Sequence, residues 1–398
     1  MGRIIDKYGN VTIYSVEGKT LPIYQTIIKQ GEFGKLQAFI EDDMLEEIMY
    51  NGAKRTLKVC HRKHGMCDTN LFIDESEIAE IVQRIARKFG RVIDVESPML
   101  NLELPEYGRM NVTFPPISPE GITVTIRKFP AEQFTIIDLI RNGTISLDAA
   151  AFLWIIVDGL GRSPCNLLIS GGVDSGKTTM LNALTFFIPE RERVITIEDV
   201  SELRLLHENW VRLEASLSHL SLTELLKNAL RMRPDRIIIG EVRGEEAEIL
   251  FAAMNTGQKG CMSTIHANNA RETITRLISK PMNVAPIMLG ALHLILSQDK
   301  FVSGDKYDRK VIEICEIGEF EQDRPTLNTI FKFDGRSLVS TRTPSILRER
   351  ISEEAGITLS EFDKILEERR DFLKSLIPQP FKALELFRIL QNYRKRSI

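Results

Sequence analysis

The stretch Ile169-Ser170-Gly171-Gly172-Val173-Asp174-Ser175-Gly176-Lys177-Thr178-Thr179 decides the fold of this chain. Residues 171–178 fit G-x-x-x-x-G-K-[ST]; the apolar run 166–170 precedes them and a helix-compatible run, 177–187, follows. Each position has a physical task. Glycines let the backbone fold around phosphates, so that its amides, reinforced by a helix N-terminus, donate to them. In that pattern Lys177 is expected to neutralise charge at β- and γ-phosphates, and the Thr178 hydroxyl to bind Mg²⁺. The bland alternative, a glycine turn with a surface lysine, does not account for a strand before and a helix after. Asp174 is the anomaly, an anion in an anion-binding loop.

Outward from the loop, strands alternate with helices, which argues for parallel β-α-β units. Strands are expected at 166–170, 193–197, 211–214, 236–240 and 261–265. Ser221 and Glu224 form a capping box for a helix whose apolar face is Leu222, Leu225, Leu226, Ala229 and Leu230. Another helix is expected over 245–255, stopped by Gly257. Before this region, residues 1–130 mix β-rich runs such as 11–16 with an amphipathic helix at 75–88 and a hairpin turning at 118–121, an α+β domain. Pro130 marks a connector, and 131–144 reads as a linker. The fold expected is α/β, a RecA-like P-loop domain with a mostly parallel sheet over 145–318. A smaller α+β N-terminal domain precedes it, and 319–398 forms a hairpin and helical appendage. In that tail Phe362, Ile365, Leu366, Arg369, Phe372 and Leu376 recur roughly at helical spacing, and the basic end Arg394-Lys395-Arg396 reads as solvated.

The whole chain has 398 residues, 43% hydrophobic and 27% charged, with net charge -3, which fits two globular cores and offers no basic field for nucleic acid. No basic stretch interleaved with aromatics is present, so direct nucleic-acid binding is not expected. The longest apolar run, 149–157, is far too short to span a bilayer, and the N-terminus lacks a signal-peptide core. Five scattered cysteines suit a reducing compartment, so the cytoplasm is expected.

A phosphate loop alone names no reaction, and three further elements supply candidates. Ile237-Ile238-Ile239-Gly240-Glu241 is a buried-strand pattern ending in a carboxylate, which puts Glu241 at the ligand-binding end of a parallel strand. Glu241 there orients a water or holds Mg²⁺, directly or through water; its structural alternative is a helix-capping role before Gly244. Glu198, in Thr196-Ile197-Glu198-Asp199, is the candidate for polarising an attacking water. His266 ends another strand at the same edge and is placed to donate to a γ-phosphate before hydrolysis, although a lone histidine is more often structural. Cys60, His61, His64 and Cys67 offer four metal ligands within eight residues, but one tight hairpin would have to converge them, and a hairpin without metal explains the run.

Taken in order, GGVDSGKTTMLNAL, TIEDVSELRL, LLHENW, NALRMRPDRIIIGEVRGEEA and AMNTGQKGCMSTIHANNARETITRL resemble the secretion ATPase superfamily of type II and type IV secretion, type IV pili and archaeal flagella. HENW, the Arg276-Leu277…Lys280-Pro281 ending and GRMNVTFPPIS…GITVTIRKF are most similar to its archaeal and tight-adherence branch. The resemblance implies a homo-hexameric ATPase, peripheral on the cytoplasmic face of the membrane, working on a polytopic platform protein. It implies a RecA-like motor domain under a mobile N-terminal domain, with ATP and Mg²⁺ as cofactors. By its motifs the phosphate loop is 171–178, the acidic box runs from Glu198 and Asp199 through Glu202, the second acidic element is Gly240-Glu241, and the histidine box is His266. Arg109 and Arg127 match the N-terminal arginines that reach the nucleotide; read alone, each is a strand arginine on a solvated face. A guanidinium suits bidentate contact with a γ-phosphate, so an arginine on a movable domain ties closure to ATP.

Two features depart from that pattern. The four-cysteine zinc insertion of many type II and pilus extension members is absent, and Asp174 stands where glycine or another small residue is usual. A carboxylate about 6 Å from a phosphate costs about 0.7 kcal/mol per charge in water-like surroundings and about 3 at an effective dielectric of about 20. Its side chain is therefore expected to point outward, accepting from a backbone amide, meeting an arginine of the N-terminal domain or simply solvated, and to loosen nucleotide grip. Two rival functions remain at this stage: a RecA-like DNA or conjugative translocase, and a nucleotide-gated scaffold with weak hydrolysis.

Overall fold

The structure is a computed structural model that describes residues 2–104, 107–129, 133–215, 220–303, 306–321 and 324–397. Pro130 and the start of the expected linker, 131–132, lie outside the described residues. The chain divides into two compact units, Met1–Ala131 and Glu132–Ile398.

Among its described residues the first unit holds a nine-stranded sheet and two α-helices. Its strands are β1 (Arg3–Tyr8), β2 (Val11–Ser15), β3 (Ile23–Gln25), β4 (Leu45–Asn51), β5 (Lys58–His61), β6 (Gly65–Thr69), β7 (Met99–Leu104), β8 (Gly108–Thr113) and β9 (Thr123–Lys128), in the order β1-β2-β3-β6-β5-β4-β9-β8-β7. Helices α1 (Gln37–Ile40) and α2 (Glu75–Lys88) pack on it. In α2 the residues Ile78, Ile81, Val82 and Ile85 recur every three or four positions and are all buried, so the amphipathic pattern faces the sheet. The Cys60–Cys67 run is the β5–β6 hairpin. Pleat alternation puts Cys67 on the buried face with Val59 and His61, and turns Cys60 the other way. His61 meets the Tyr8 hydroxyl at 3.1 Å and His64 meets Asp6 at 2.8 Å, so the four side chains do not converge.

The second unit holds β10 (Leu167–Gly171), β11 (Val194–Glu198), β12 (Trp210–Glu214), β13 (Arg236–Val242), β14 (Met262–Ile265), β15 (Leu294–Ser303), β16 (Lys306–Glu321), β17 (Arg324–Phe333) and β18 (Leu338–Ser340). Their order is β12-β11-β13-β14-β10-β15-β16-β17-β18. From β12 to β15 every pairing is parallel; from β15 onward every pairing is antiparallel. The helices are α3 (Ile136–Arg141), α4 (Leu147–Asp158), α5 (Lys177–Thr185), α6 (Leu222–Ala229), α7 (Glu246–Asn255), α8 (Ala270–Ile278), α9 (Ile346–Ala355), α10 (Leu359–Leu376) and α11 (Ala383–Ser397). The Ser221/Glu224 capping box is formed as read.

Residues 319–398 differ from the expected appendage. Strands β16 to β18 extend the same sheet, and Leu347, Phe362, Leu373, Leu386 and Phe387 share one core with α4 and β10. The physical reason is α4, whose apolar run is buried on every side and needs cover that the parallel layer alone does not provide. Arg369, read with the apolar positions of α10, is buried because its guanidinium forks onto Asp158 of α4 at 3.0 and 2.8 Å and lies over Trp154. Arg394 is likewise not a solvated end: it is buried 3.7 Å from Asp158.

Candidate functional site

The carboxyl ends of β10, β11, β13 and β14 lie along one edge of the parallel layer, and each delivers one element of the site. Strand β10 is buried at every residue between β14 and β15, so the chain leaves the sheet at Gly171 with ordered neighbours on both sides. A Cβ on Gly171 would stand 2.3 Å from Ser175 Oγ and 2.4 Å from the carbonyl oxygen of Gln298; glycine alone fits. Gly176 caps α5 at φ 93°, and Lys177 is the first helical residue. Ser175 Oγ donates to the Gly172 carbonyl at 3.0 Å, closing the loop on itself. Val173 and Asp174 form its exposed tip, while Thr178 and Thr179 lie half-buried in the first turn of α5.

Asp174 adopts φ 59°, the left-handed region, which explains why glycine is the natural residue there. Aspartate is among the few side chains that tolerate it. Its carboxylate points outward, 45% exposed, with Lys300 Nζ at 3.9 Å, and its carbonyl accepts from Arg309 Nε at 2.8 Å. The expected outward orientation holds, but the cation beside it comes from β15 of the same unit.

Lys177 is buried, and its Nζ donates to the carbonyls of Gly171 at 3.0 Å and Gly172 at 2.7 Å, with His266 Nδ1 at 3.4 Å. Burial draws its pKa down, opposed chiefly by the Glu241 charge. His266 Nε2 stands 3.0 Å from Glu241 Oε1, and Arg243 Nη2 donates to Glu241 Oε2 at 2.7 Å. Arg243 also approaches Asp199 at 3.7 Å. The result is a continuous chain, Lys177 to His266 to Glu241 to Arg243, joining the phosphate loop to the end of β13. For Glu241, burial pushes the carboxyl up, but the Arg243 hydrogen bond and the charges of Arg243, His266 and Lys177 outweigh it and hold it below the usual carboxylate range. For His266, burial and then Lys177 repulsion lower the pKa against the opposing pull of Glu241, so the ring is neutral at pH 7.

Glu241 does not cap the following helix. The N-cap residue of that helix, Glu245, makes no side-chain capping bond, and Glu246 Oε1 accepts from the amides of Arg243 at 2.5 Å and Gly244 at 2.8 Å in the turn before it. The register of β13 against β14 shifts between Ile239 and Val242, where Thr264 Oγ1 donates to the Gly240 carbonyl at 2.7 Å. That irregularity turns Glu241 toward His266. Glu198 is 3% exposed, and its Oε1 accepts from the amides of Glu202 at 2.9 Å and Leu203 at 3.1 Å, fastening the acidic box to the end of β11. Its side chain lies over Gly240, where a Cβ would meet Glu198 Cγ at 2.8 Å.

In the first unit, Arg109 and Arg127 are directly opposite on β8 and β9, flanked across the ladder by Glu103 of β7 and Glu47 of β4. The strand row reads Glu, Arg, Arg, Glu on one face. Two guanidinium groups directly opposite each other repel, a cost that the flanking carboxylates offset. Arg127 keeps 60% of its side chain exposed, with Glu47 at 3.9 Å.

The arrangement fits a nucleotide: a glycine-shaped loop at the N-terminus of a nine-residue helix, with a lysine inside it. Among the described residues no group of three or more His, Cys, Asp or Glu side chains is arranged to hold a metal. Thr178, in the first turn of α5, and the Glu241 carboxylate, near the end of β13, are oxygen donors of the type Mg²⁺ takes beside phosphates and waters. Sequence reasoning missed Arg243, Lys300 and Arg309; of these only Arg243, in Glu241-Val242-Arg243-Gly244, adjoins a recognised motif.

A family model described as type II/IV secretion system protein matches residues 29–332. The chain is 46% identical over 241 residues to the uncharacterized protein MJ0781 of Methanocaldococcus jannaschii, a match covering 58% of this chain and 33% of that protein. It is 34% identical over 289 residues to the conjugal transfer protein TrbB of Rhizobium radiobacter, covering 70% of this chain and 85% of the relative. The X-ray structure of the ATPase DotB of Yersinia pseudotuberculosis superposes with a TM-score of 0.52 at 15% identity, over 95% of this chain and 100% of that one, a likeness of fold. The chain thus spans about a third of the length of the first of these relatives.

Proposed function

The chain belongs to the type II/IV secretion system protein family, and on that premise we propose that it is a Mg²⁺-dependent ATPase motor. It hydrolyses ATP as a hexameric ring on the cytoplasmic face of the membrane. The ring passes its motion to a polytopic platform protein that secretes protein or assembles pilus-like or archaeal flagellum-like filaments. One observation carries the reading: Lys177, His266 and Glu241, from three separate strand ends, stand in one contact chain beside a loop shaped for phosphates. In this reading Lys177 and the loop amides bind the phosphates, Thr178 and Glu241 hold Mg²⁺, and Glu241, held ionised, orients the attacking water. Glu198 serves by fixing the acidic box, and Arg109 with Arg127 supplies positive charge from the first unit. Mg²⁺ adds charge neutralisation at the transferring phosphoryl group. Useful work comes from different ATP affinities in closed and open states; equal affinities drive nothing.

Steady-state phosphate release by the purified chain with Mg-ATP tests this, with Lys177→Ala as the inactive control. Tight ATP binding without turnover would favour the nucleotide-gated scaffold. Sedimentation with and without nucleotide tests the ring. The TrbB relative supports a second reading, a motor of a conjugal-type transfer machine. DNA-stimulated turnover with steep salt dependence would select that reading; turnover indifferent to DNA would reject it.

A further inference from the structure

Strand β16 touches both the glycine loop after β10 and the loop that follows His266. Its register against β15 pairs Ser297 with Glu313 but Gln298 with Val311, so Ile312 is an extra residue in a bulge, level with the end of β10, where Ser170 and Gly171 pair with Ser297 and Gln298. A bulge re-aims the side chains around it. On one side of it, Glu313 Oε1 accepts from the amide of Ala270 at 2.7 Å and from Ser297 Oγ at 3.2 Å; Ser297 Oγ in turn meets Ser170 Oγ at 2.9 Å. Ala270 opens α8, four residues beyond His266. This buried hydroxyl chain therefore ties the His266 loop to the residue before Gly171.

On the other side of the bulge, Arg309 Nε donates to the Asp174 carbonyl at 2.8 Å. Its Cδ lies 3.1 Å from the place a Cβ on Gly176 would take, and the Gln298 amide nitrogen lies 3.0 Å from the same place. The helix end of the phosphate loop, at Gly176, is thus walled by β15 and β16. A hydrogen bond to a carbonyl at a left-handed residue fixes the orientation of the next peptide, whose N–H belongs to Ser175 inside the motif.

We propose that β16 braces the two loops in mutual register, Arg309 positioning the phosphate loop and Glu313 positioning the His266 loop, so that nucleotide grip and turnover are set from a strand outside both motifs. The proposal rests on the ATPase reading and adds two positioning residues to it. The arms make different demands. Losing the Arg309 donor frees the loop tip and acts on binding. Losing the Glu313 acceptor lets the His266 loop drift and acts on turnover.

The test measures ADP dissociation constants by titration calorimetry, kcat and KM for Mg-ATP, and Tm, for Arg309→Ala, Arg309→Lys, Glu313→Ala and Glu313→Gln. Both Arg309 variants should weaken ADP binding about tenfold, the scale of one hydrogen bond to a charged donor, because lysine keeps the charge but not the Nε–H geometry. Glu313→Ala should lower kcat about tenfold while ADP affinity stays within about twofold, and Glu313→Gln, whose side-chain oxygen still accepts, should restore it. Full rescue by Arg309→Lys would overturn the brace, since charge alone would then suffice. Affinity and kcat falling together in step with Tm in every variant would also overturn it. If the wild-type chain binds ADP without hydrolysing ATP, the motor reading fails and the brace is judged on ADP affinity, where an unchanged Arg309→Ala refutes it. A wild-type chain that binds no nucleotide removes both.

Discussion

Replacing Asp174 with glycine should tighten nucleotide binding, and the structure fixes both the size and the control. The residue sits at φ 59°, with its carboxylate 45% exposed and 3.9 Å from Lys300 Nζ. A unit charge about 6 Å from a phosphate costs between about 0.7 and 3 kcal/mol, and half-exposure together with the neighbouring lysine puts the effect at the low end. Removing about 0.7 to 1 kcal/mol of repulsion corresponds to a three- to fivefold lower dissociation constant for ADP, roughly. The fold itself should change little. Glycine relieves left-handed strain of about 1 kcal/mol and returns a similar amount through the greater freedom of the unfolded chain, so Tm serves as a control. Asp174→Asn separates the causes: asparagine keeps the left-handed tolerance and the side-chain size but loses the charge, so it should reproduce most of the tightening. Calorimetric titration at low salt and again at about 0.5 M salt completes the assay, since screening should shrink the difference. Unchanged or weaker affinity in both variants would refute the claim that Asp174 loosens the loop's grip.

Arg127→Ala should slow ATP turnover more than it weakens ATP binding, measured as kcat against the ATP dissociation constant; normal hydrolysis by this variant would end the account in which the first unit closes over nucleotide. The rate should fall on acidification once His266 takes a proton, at a pH below the ordinary histidine range because burial and Lys177 lower its pKa, and His266→Asn should remove that limb of the pH–rate profile. Stability has a separate acid limb. Burial lowers the pKa of His207 to about 4 and of His293 to about 3, so both contribute stability that is complete above the ordinary histidine pKa and lost as pH falls from there toward the folded values. The loss is at most about 3 and about 5 kcal/mol, and thermal unfolding between about pH 7 and 4 should show a shallower slope in His207→Gln and His293→Gln.

Local signals in the chain placed the glycine loop and the parallel strands around it, and the rest of the sheet only in part. The glycine pattern, the Ile237-Ile238-Ile239 run and the Ser221/Glu224 box are each read within a few residues, and each stands where that reading puts it. What escaped depends on distant partners. Arg369 reads as one more position of an apolar stripe until Asp158, 211 residues away, is known to lie buried beneath it. Glu241 leaves the line of β13 at a bulge against β14, where Thr264 bonds the Gly240 carbonyl, and a bulge formed with another strand leaves no trace in the local sequence. Asp174 was legible as an anomaly of charge. That it is equally an anomaly of backbone conformation follows only from its φ angle.

The contacts of Lys177 also constrain how the site engages phosphate. An ammonium has three protons, and here it meets three acceptors, the carbonyls of Gly171 and Gly172 and His266 Nδ1. Any phosphate contact requires it to release one. The histidine contact, at 3.4 Å, is the longest of the three and therefore the weakest. A nitrogen facing an ammonium must accept, so Nδ1 carries the lone pair and Nε2 the proton, 3.0 Å from Glu241 Oε1 but not aligned with it, which leaves that buried oxygen without a hydrogen-bond partner. Once Lys177 turns away, Nδ1 is a partly buried acceptor without its donor, and the imidazole regains a partner by turning or by taking a proton. Turning moves Nε2–H relative to Glu241 Oε1, the buried oxygen that lacks a hydrogen-bond partner 3.0 Å away, so engagement of Lys177 with phosphate is coupled to the position of the imidazole beside Glu241.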